Sequence, residues 1–300
     1  MAFSEFDWIA SLRSWPVPGL VAGIGDDAAV FEGAGPWAVS TDTLVESVHF
    51  LPGDDPGGVG WKTAAVNLSD MAACGCRPRY FLLNLQLTPA WEGRLEAFRE
   101  GLLKALDAFG VSLVGGDTVW SPTGPFSVTG TILGTPYGHR VLQRAGARPG
   151  DGIYITGEGL GGSFPQRHLR FTPRLVFSEA LCRAGPPTAM IDVSDGLLQD
   201  LGHILDRSGV AAELDLFDVP ISSDVKASGE TALEHALADG EDFELLLTWP
   251  AESLGKLPKN IPLARIGRIT QGAGLILARR APGAAFTAEQ RRGYSHGSPR

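Results

Sequence analysis

Short apolar runs alternate along the chain with segments whose apolar residues recur every three to four positions, the signature of a protein that mixes strands and helices. Residues 38–41 read as a strand, and residues 58–73 carry apolar side chains at helical spacing up to a stop at Gly75. A β-rich run at 80–87 precedes an amphipathic helix over 92–109 that ends at Gly110. Strands follow at 111–114 and 126–133. Turn formers then cluster at Thr135-Pro136-Tyr137-Gly138 and at Ala147-Arg148-Pro149-Gly150-Asp151, so a boundary is expected here that divides the chain into domains 1–137 and 138–300. The second half reads as strands at 153–156, 189–193, 211–216, 243–248, 264–269 and 275–278, with helices at 197–207 and 231–237. The expected fold class is α/β or α+β in two domains.

The polar residues that interrupt this pattern are more informative than the pattern itself. Short clusters, each holding an aspartate, sit at the edges of apolar elements. In order they are Gly23-Ile24-Gly25-Asp26-Asp27, Ser40-Thr41-Asp42-Thr43, Asn67-Leu68-Ser69-Asp70, Gly115-Gly116-Asp117-Thr118, Asp192-Val193-Ser194-Asp195-Gly196 and Gly240-Glu241-Asp242-Phe243-Glu244. A single aspartate in such a place is ordinarily a helix cap or a turn former. Taken together, Asp26, Asp27, Asp42, Asp70, Asp117, Asp192 and Asp195 have a second reading. If the element ends converge, several carboxylates share one pocket and raise one another's pKa unless cations neutralise them. Hard divalent ions such as magnesium take oxygen ligands of this kind together with phosphate oxygens. Glycines beside the carboxylates suit close approach of backbone to phosphate.

Composition narrows the partners. The chain has 300 residues, 44% hydrophobic and 20% charged, with no run of apolar residues long enough for a membrane span. A formal net charge of −9 argues against a nucleic-acid surface but not against phosphates bound through metal. Glu5 and Asp7 occupy the N-terminal stretch where a signal peptide carries positive charge, so an amphipathic helix and a cytoplasmic protein are expected. The three cysteines, Cys74, Cys76 and Cys182, are too few for a disulfide framework, and buried reduced thiols are expected.

The same clusters, in the same order, resemble the motifs of the thiamine-monophosphate kinase family, in the superfamily of aminoimidazole ribonucleotide synthetase and selenophosphate synthetase. The resemblance runs from Ser4 to Tyr294 and is carried most specifically by Ser40-Thr41-Asp42-Thr43-Leu44-Val45 with His49-Phe50, by Ala65-Val66-Asn67-Leu68-Ser69-Asp70-Met71-Ala72-Ala73, and by the Gly240 run. It implies a two-domain aminoimidazole ribonucleotide synthetase-like fold whose N-terminal sheet pairs with that of a second subunit in a homodimer. It further implies that Asp27, Ser40, Thr41, Asp42, Asp70, Asp117, Asp192 and Asp195 hold magnesium around the phosphates of ATP, with Asp26 nearby. Asp42, Asp117 and Asp27 would be the residues on which catalysis depends. Gly116, Asp117, Arg144 and Ser194 would contact the nucleotide, and His49, Glu241 and Tyr294 the thiamine monophosphate. The expected reaction is direct in-line transfer to the substrate phosphate, without a phosphoenzyme.

One stretch departs from the family. Residues 157–166 lead almost directly into Arg167-His168-Leu169-Arg170-Phe171-Thr172-Pro173-Arg174, where the family has a longer, partly helical segment and a proline in place of Phe171. This puts domain packing and local stability in question, not the ligand positions. Gly157-Glu158-Gly159-Leu160-Gly161-Gly162 also satisfies GxGxxG after a strand, but Pro165 and Pro173 oppose the helix that a dinucleotide site needs. The chain has neither GxxxxGK[ST] nor HExxH. Two alternatives stand beside the kinase. One is another ATP-using synthetase of the superfamily, although selenophosphate synthetase carries a reactive cysteine near its N-terminus and no cysteine precedes Cys74 here. The other is a non-catalytic binding protein, which the full set of aspartates does not favour.

Overall fold

The computed structural model describes residues 20–22, 27, 29–31, 35–162, 167–185, 187–226 and 232–279. The expected N-terminal helix, Asp26 and Tyr294 lie outside them.

Six strands between Leu20 and Pro136 form one sheet: β1 (Leu20–Ala22), β2 (Ala29–Phe31), β3 (Trp37–Val45), β4 (Cys76–Leu87), β5 (Ser112–Trp120) and β6 (Ser127–Pro136). Their order is β1-β2-β3-β6-β4-β5, and only the β4–β5 pair is parallel. Helix α1 (Pro56–Ala73) lies against β3, β6 and β4 and against α2 (Leu95–Ala108). Asp55 starts α1 by accepting hydrogen bonds from the amides of Gly57 and Gly58, and Pro56 opens its first turn. Where the sequence pattern predicts an ordinary amphipathic helix, α1 is buried on nearly all sides, because the second half of the chain covers its remaining face. Its glycines and alanines permit this. A Cβ on Gly60 would sit 2.0 Å from the carbonyl oxygen of Phe98, so α1 and α2 cross in backbone contact. The helix expected over 92–109 begins as a 3-10 turn, Pro89–Arg94, and becomes α-helical only from Leu95.

The second sheet contains β7 (Gly152–Thr156), β8 (Ala189–Asp192), β9 (Ala211–Asp215), β10 (Leu245–Trp249), β11 (Leu263–Thr270) and β12 (Gly274–Arg279). The order is β12-β9-β11-β7-β10-β8, antiparallel except for β12 beside β9. The remaining helices are α3 (Leu175–Ala184), α4 (Leu197–Ser208), α5 (Ser223–Lys226) and α6 (Ala232–Ala238). Successive residues of the central strands alternate between two apolar cores, as a strand covered on both faces must. Tyr154, Met190, Leu245, Leu247 and Trp249 join the core shared with α1 and α3. Ile153, Ile155, Ile191 and Leu246 join the core under α4 and α6. With two largely antiparallel sheets and their covering helices, the architecture is the two-part mixed α/β arrangement that the sequence pattern predicts, on the α+β side. Helices α3 and α5 and the short strands β1 and β2 are additions to that expectation.

Candidate functional site

A cavity of about 400 Å³ opens where α1, the end of β8 and the turn before β10 meet β3. Alternation along β3 puts Ala38, Ser40, Asp42 and Leu44 on one face, toward α1. On α1, Lys62, Val66 and Asp70 recur every four residues and form a single stripe along the cavity wall. Asp192 closes β8, and Ser194 and Asp195 follow it into the N-terminus of α4. Thr41, His49 and Glu241 complete the set of sequence-predicted residues that line this cavity.

The carboxylates are packed together. Oxygens of Asp27, Asp70 and Asp192 all lie within 4.8 Å of one another. The Ser40 hydroxyl bridges two of these residues, donating to the Asp70 carboxylate and lying 2.9 Å from the carbonyl of Asp27. Ser69 donates to Asp192 at 2.5 Å. Arg144 holds Asp27 by two hydrogen bonds, of 3.1 and 2.7 Å. Burial raises the pKa of Asp70 well above the usual carboxylate range, and its neighbours Asp42, Asp192 and Asp27 raise it further. Burial also raises Asp42, opposed by a hydrogen bond with Asp70 that requires a proton on one of the two, and reinforced by Asp27. Asp192 is pushed up to about 7, by burial first and then by Asp27. Carboxylates arranged in this way are costly without a cation, and their donors are hard oxygens. Magnesium–oxygen bonds of about 2.0–2.1 Å place any two ligands of one ion within roughly 4.2 Å of each other. With every separation within 4.8 Å, the Asp27–Asp70–Asp192 group meets that limit with at most a slight closure, so the residues fit magnesium.

Gly116 and Asp117 are elsewhere. The Gly-Gly-Asp-Thr cluster, expected at the end of a short strand, lies in the middle of β5, which runs on to Trp120. Gly116 adopts φ 148°, and a Cβ there would sit 1.8 Å from the carbonyl oxygen of Leu83, so only glycine fits against β4. The register pairs Asp117 with Asn84, Asn84 with Thr129, and Thr129 with Thr43. Within one chain Asp117 is therefore three strands from β3, roughly 14 Å at normal strand spacing. It faces solvent beside the exposed Leu113, Val114, Val119 and Trp120.

Three residues of the site were not singled out by sequence reasoning. Asp200, in the first turn of α4, accepts hydrogen bonds from the amides of Ser194, Asp195 and Gly196, each at 3.1 Å, and so fixes the loop that carries Ser194 and Asp195. Lys62 is fully buried and pairs with Glu241 at 2.5 Å. His168, from the divergent stretch, lies 2.7 Å from the Lys62 ammonium. Asp200 had a faint signal, an acidic residue in the first turn of a helix after Ser-Asp-Gly. The other two contacts span 106 residues or more and leave no local trace.

The divergent stretch packs against the Gly240 run residue by residue. Phe171 stacks on Phe243 at 4.1 Å between ring centroids, Trp61 donates to the Phe171 carbonyl, and Arg174 pairs with the buried Glu244. The packing put in question by the missing proline is thus made by an aromatic pair. The GxGxxG loop is also accounted for, since the amides of Gly161 and Gly162 donate to Asp242 and no helix begins within residues 157–162. All three cysteines are free thiols, and burial raises the pKa of Cys76 and takes Cys182 to about 11.

Among the described residues, no helix is long and apolar enough to cross a membrane. Residues 25–135 match the family model "AIR synthase related protein, N-terminal domain". The chain is 39% identical to the thiamine-monophosphate kinase of Salmonella typhimurium, over 89% of this chain and 88% of that protein. It is 36% identical to the thiamine-monophosphate kinase of Haemophilus influenzae, over 91% of this chain and 92% of that one. The solved structure of AaThiL complexed with AMPPCP and TMP matches with a TM-score of 0.84 at 31% identity, over 98% of this chain and 97% of that chain. On identity, coverage and fold together, the chain belongs to the thiamine-monophosphate kinase family.

Proposed function

We propose that this protein transfers a phosphoryl group from ATP to thiamine monophosphate, giving thiamine diphosphate, by direct in-line displacement. The observation that carries the reading is the convergence of Asp42, Asp70 and Asp192, from β3, α1 and β8, on one cavity that His49 and Glu241 also line, with Asp27 packed beside Asp70 and Asp192. The complex of AaThiL with AMPPCP and TMP supports this choice of donor and acceptor.

Asp27, Asp42, Asp70 and Asp192, with Ser40, Thr41 and Asp195 beside them, would hold magnesium. Bound there, the metal neutralises phosphate oxygens, which is the main obstacle when two anionic groups must meet. A phosphate monoester is largely ionised near neutral pH, with a second pKa of about 6, so the chain needs no general base. The protein's task is positioning: Ser194 and Arg144 at the nucleotide, His49 and Glu241 at the acceptor, with Tyr294 assigned to the acceptor by family resemblance. Neither a histidine nor a cysteine nucleophile is required.

The reading includes a cytoplasmic homodimer, with 1–137 as the ATP-binding and dimerisation domain and 138–300 as the second domain. Asp117 is the reason for the dimer. In one chain it is three strands from Asp42, on an edge strand that exposes apolar side chains. A second copy paired along β5 would cover that surface and bring Gly116 and Asp117 to the phosphates of the neighbouring site.

A coupled assay of ATP consumption with different acceptors tests the function. Magnesium-dependent turnover with thiamine monophosphate, and none with unphosphorylated thiamine, is expected. A folded protein that binds Mg-ATP but ignores thiamine monophosphate would keep the superfamily and remove the acceptor.

A further inference from the structure

Lys62 has an unusual position. It lies in the buried helix α1 with none of its side chain exposed, yet it lines the cavity. A buried ammonium is tolerated only when it is paired and its hydrogen bonds are satisfied. Lysine has three N–H donors and no acceptor. All three have partners: the carbonyl of His49 at 2.7 Å, Nδ1 of His168 at 2.7 Å and Oε1 of Glu241 at 2.5 Å.

Each contact constrains the cavity wall. Because His168 Nδ1 accepts from Lys62, the neutral ring carries its proton on Nε2, in keeping with a pKa lowered by burial and then by Lys62. His49 is fixed in the same way, since its Nδ1 accepts from the amide of Val45 while its carbonyl accepts from Lys62. Glu241 supplies the balancing charge from a strained loop. Glu241 and Phe243 both have positive φ, 57° and 52°, a region that side chains other than glycine, asparagine and aspartate enter rarely. The loop is held on one side by the Glu241 amide donating to Ser194 and on the other by Lys62.

We propose that Lys62 is a positioning residue for the acceptor: its ammonium group ties together the three chain segments that form this wall and sets the Glu241 carboxylate and the His49 turn in place. Lys62 itself transfers nothing. The inference rests on the reading that this wall receives thiamine monophosphate.

Steady-state kinetics on wild type, Lys62→Met, Glu241→Gln and the double variant test it, with thiamine monophosphate and ATP varied separately. Lys62→Met is expected to raise KM for thiamine monophosphate about 10- to 100-fold, the loss associated with a charged hydrogen bond, while KM for ATP stays within about twofold. In the Glu241→Gln background the same substitution should raise KM by clearly less than it does in wild type, because the Lys62–Glu241 pair is shared and only the ties to His49 and His168 are left to lose. An unchanged KM for thiamine monophosphate, equal rises for both substrates, or fully multiplicative effects would overturn the proposal. Where Lys62→Met does not fold, Lys62→Gln, which keeps an amide donor at similar reach, is judged by the same criteria. A wild-type protein without turnover on thiamine monophosphate removes the functional reading and this inference with it. An active wild type with an indifferent Lys62 variant removes the inference alone.

Discussion

Removing a carboxylate from this site should stabilise the protein when no metal is present. Asp192 is 3% exposed, and its pKa stands at about 7 against an ordinary 3.8. A raised carboxylate pKa means that the folded protein holds the proton more tightly than the unfolded chain. The penalty for ionising Asp192 is absent below pH 3.8, grows as pH rises, and is complete above about pH 7. A rise of that size corresponds to roughly 4 kcal/mol at pH 8 and roughly 2 kcal/mol at pH 5. Asp192→Asn removes the penalty. The rise is already net of the Ser69 hydrogen bond and of the attraction of Arg144, both of which lower it, so losing them costs nothing further. Seating the NH2 group of the amide among hydrogen bonds arranged for a carboxylate costs about 1–2 kcal/mol. The net gain at pH 8 is about 2–3 kcal/mol, which raises the melting temperature of a chain of this length by about 3–6 °C. Differential scanning fluorimetry in EDTA at pH 8 and pH 5 reads the effect directly. The variant should gain at pH 8, gain less at pH 5, and respond less than wild type to added magnesium. A variant that melts at or below wild type in EDTA at pH 8 would refute the argument that these carboxylates are held against their own repulsion for a cation.

Other consequences are as direct. Asp42→Asn and Asp117→Asn should each lower turnover by orders of magnitude with the fold intact; if the two residues serve one site from different subunits, dissociating and remixing the variants should restore up to about a quarter of wild-type activity, because half the dimers are mixed and each has one intact site. No recovery on mixing would place both residues in one chain's site. Phe171→Ala should cost about 1–3 kcal/mol in thermal denaturation through loss of the stack on Phe243, and should weaken binding of the acceptor more than that of ATP. Gly60→Ala should destabilise the protein severely, because the added methyl falls 2.0 Å from the Phe98 carbonyl oxygen between two rigid helices; a melting temperature within a degree of wild type would contradict the close crossing.

The aspartate clusters were legible because each stands where an apolar period stops, and β3, α1 and β8 do carry Asp42, Asp70 and Asp192 to one cavity. Asp117 belongs to the same series in sequence but not in the single chain, since strand order, which no local pattern encodes, leaves β5 at the sheet edge. Helix α3 escaped notice because its first turn holds Val176 and Phe177 and its start has no side-chain cap. Lys62 in a run of small apolar residues looks like a solvated position. Only the second half of the chain, folded over α1 with Glu241 and His168, makes it a buried one.

The central claim is tested most directly by incubating the purified protein with ATP and thiamine monophosphate, with and without magnesium, and resolving the products by anion-exchange chromatography. Thiamine diphosphate should form in step with ADP, only with magnesium, and Asp42→Asn should form almost none. Absence of thiamine diphosphate from a folded, Mg-ATP-binding wild type, or its undiminished formation by Asp42→Asn, would contradict the account.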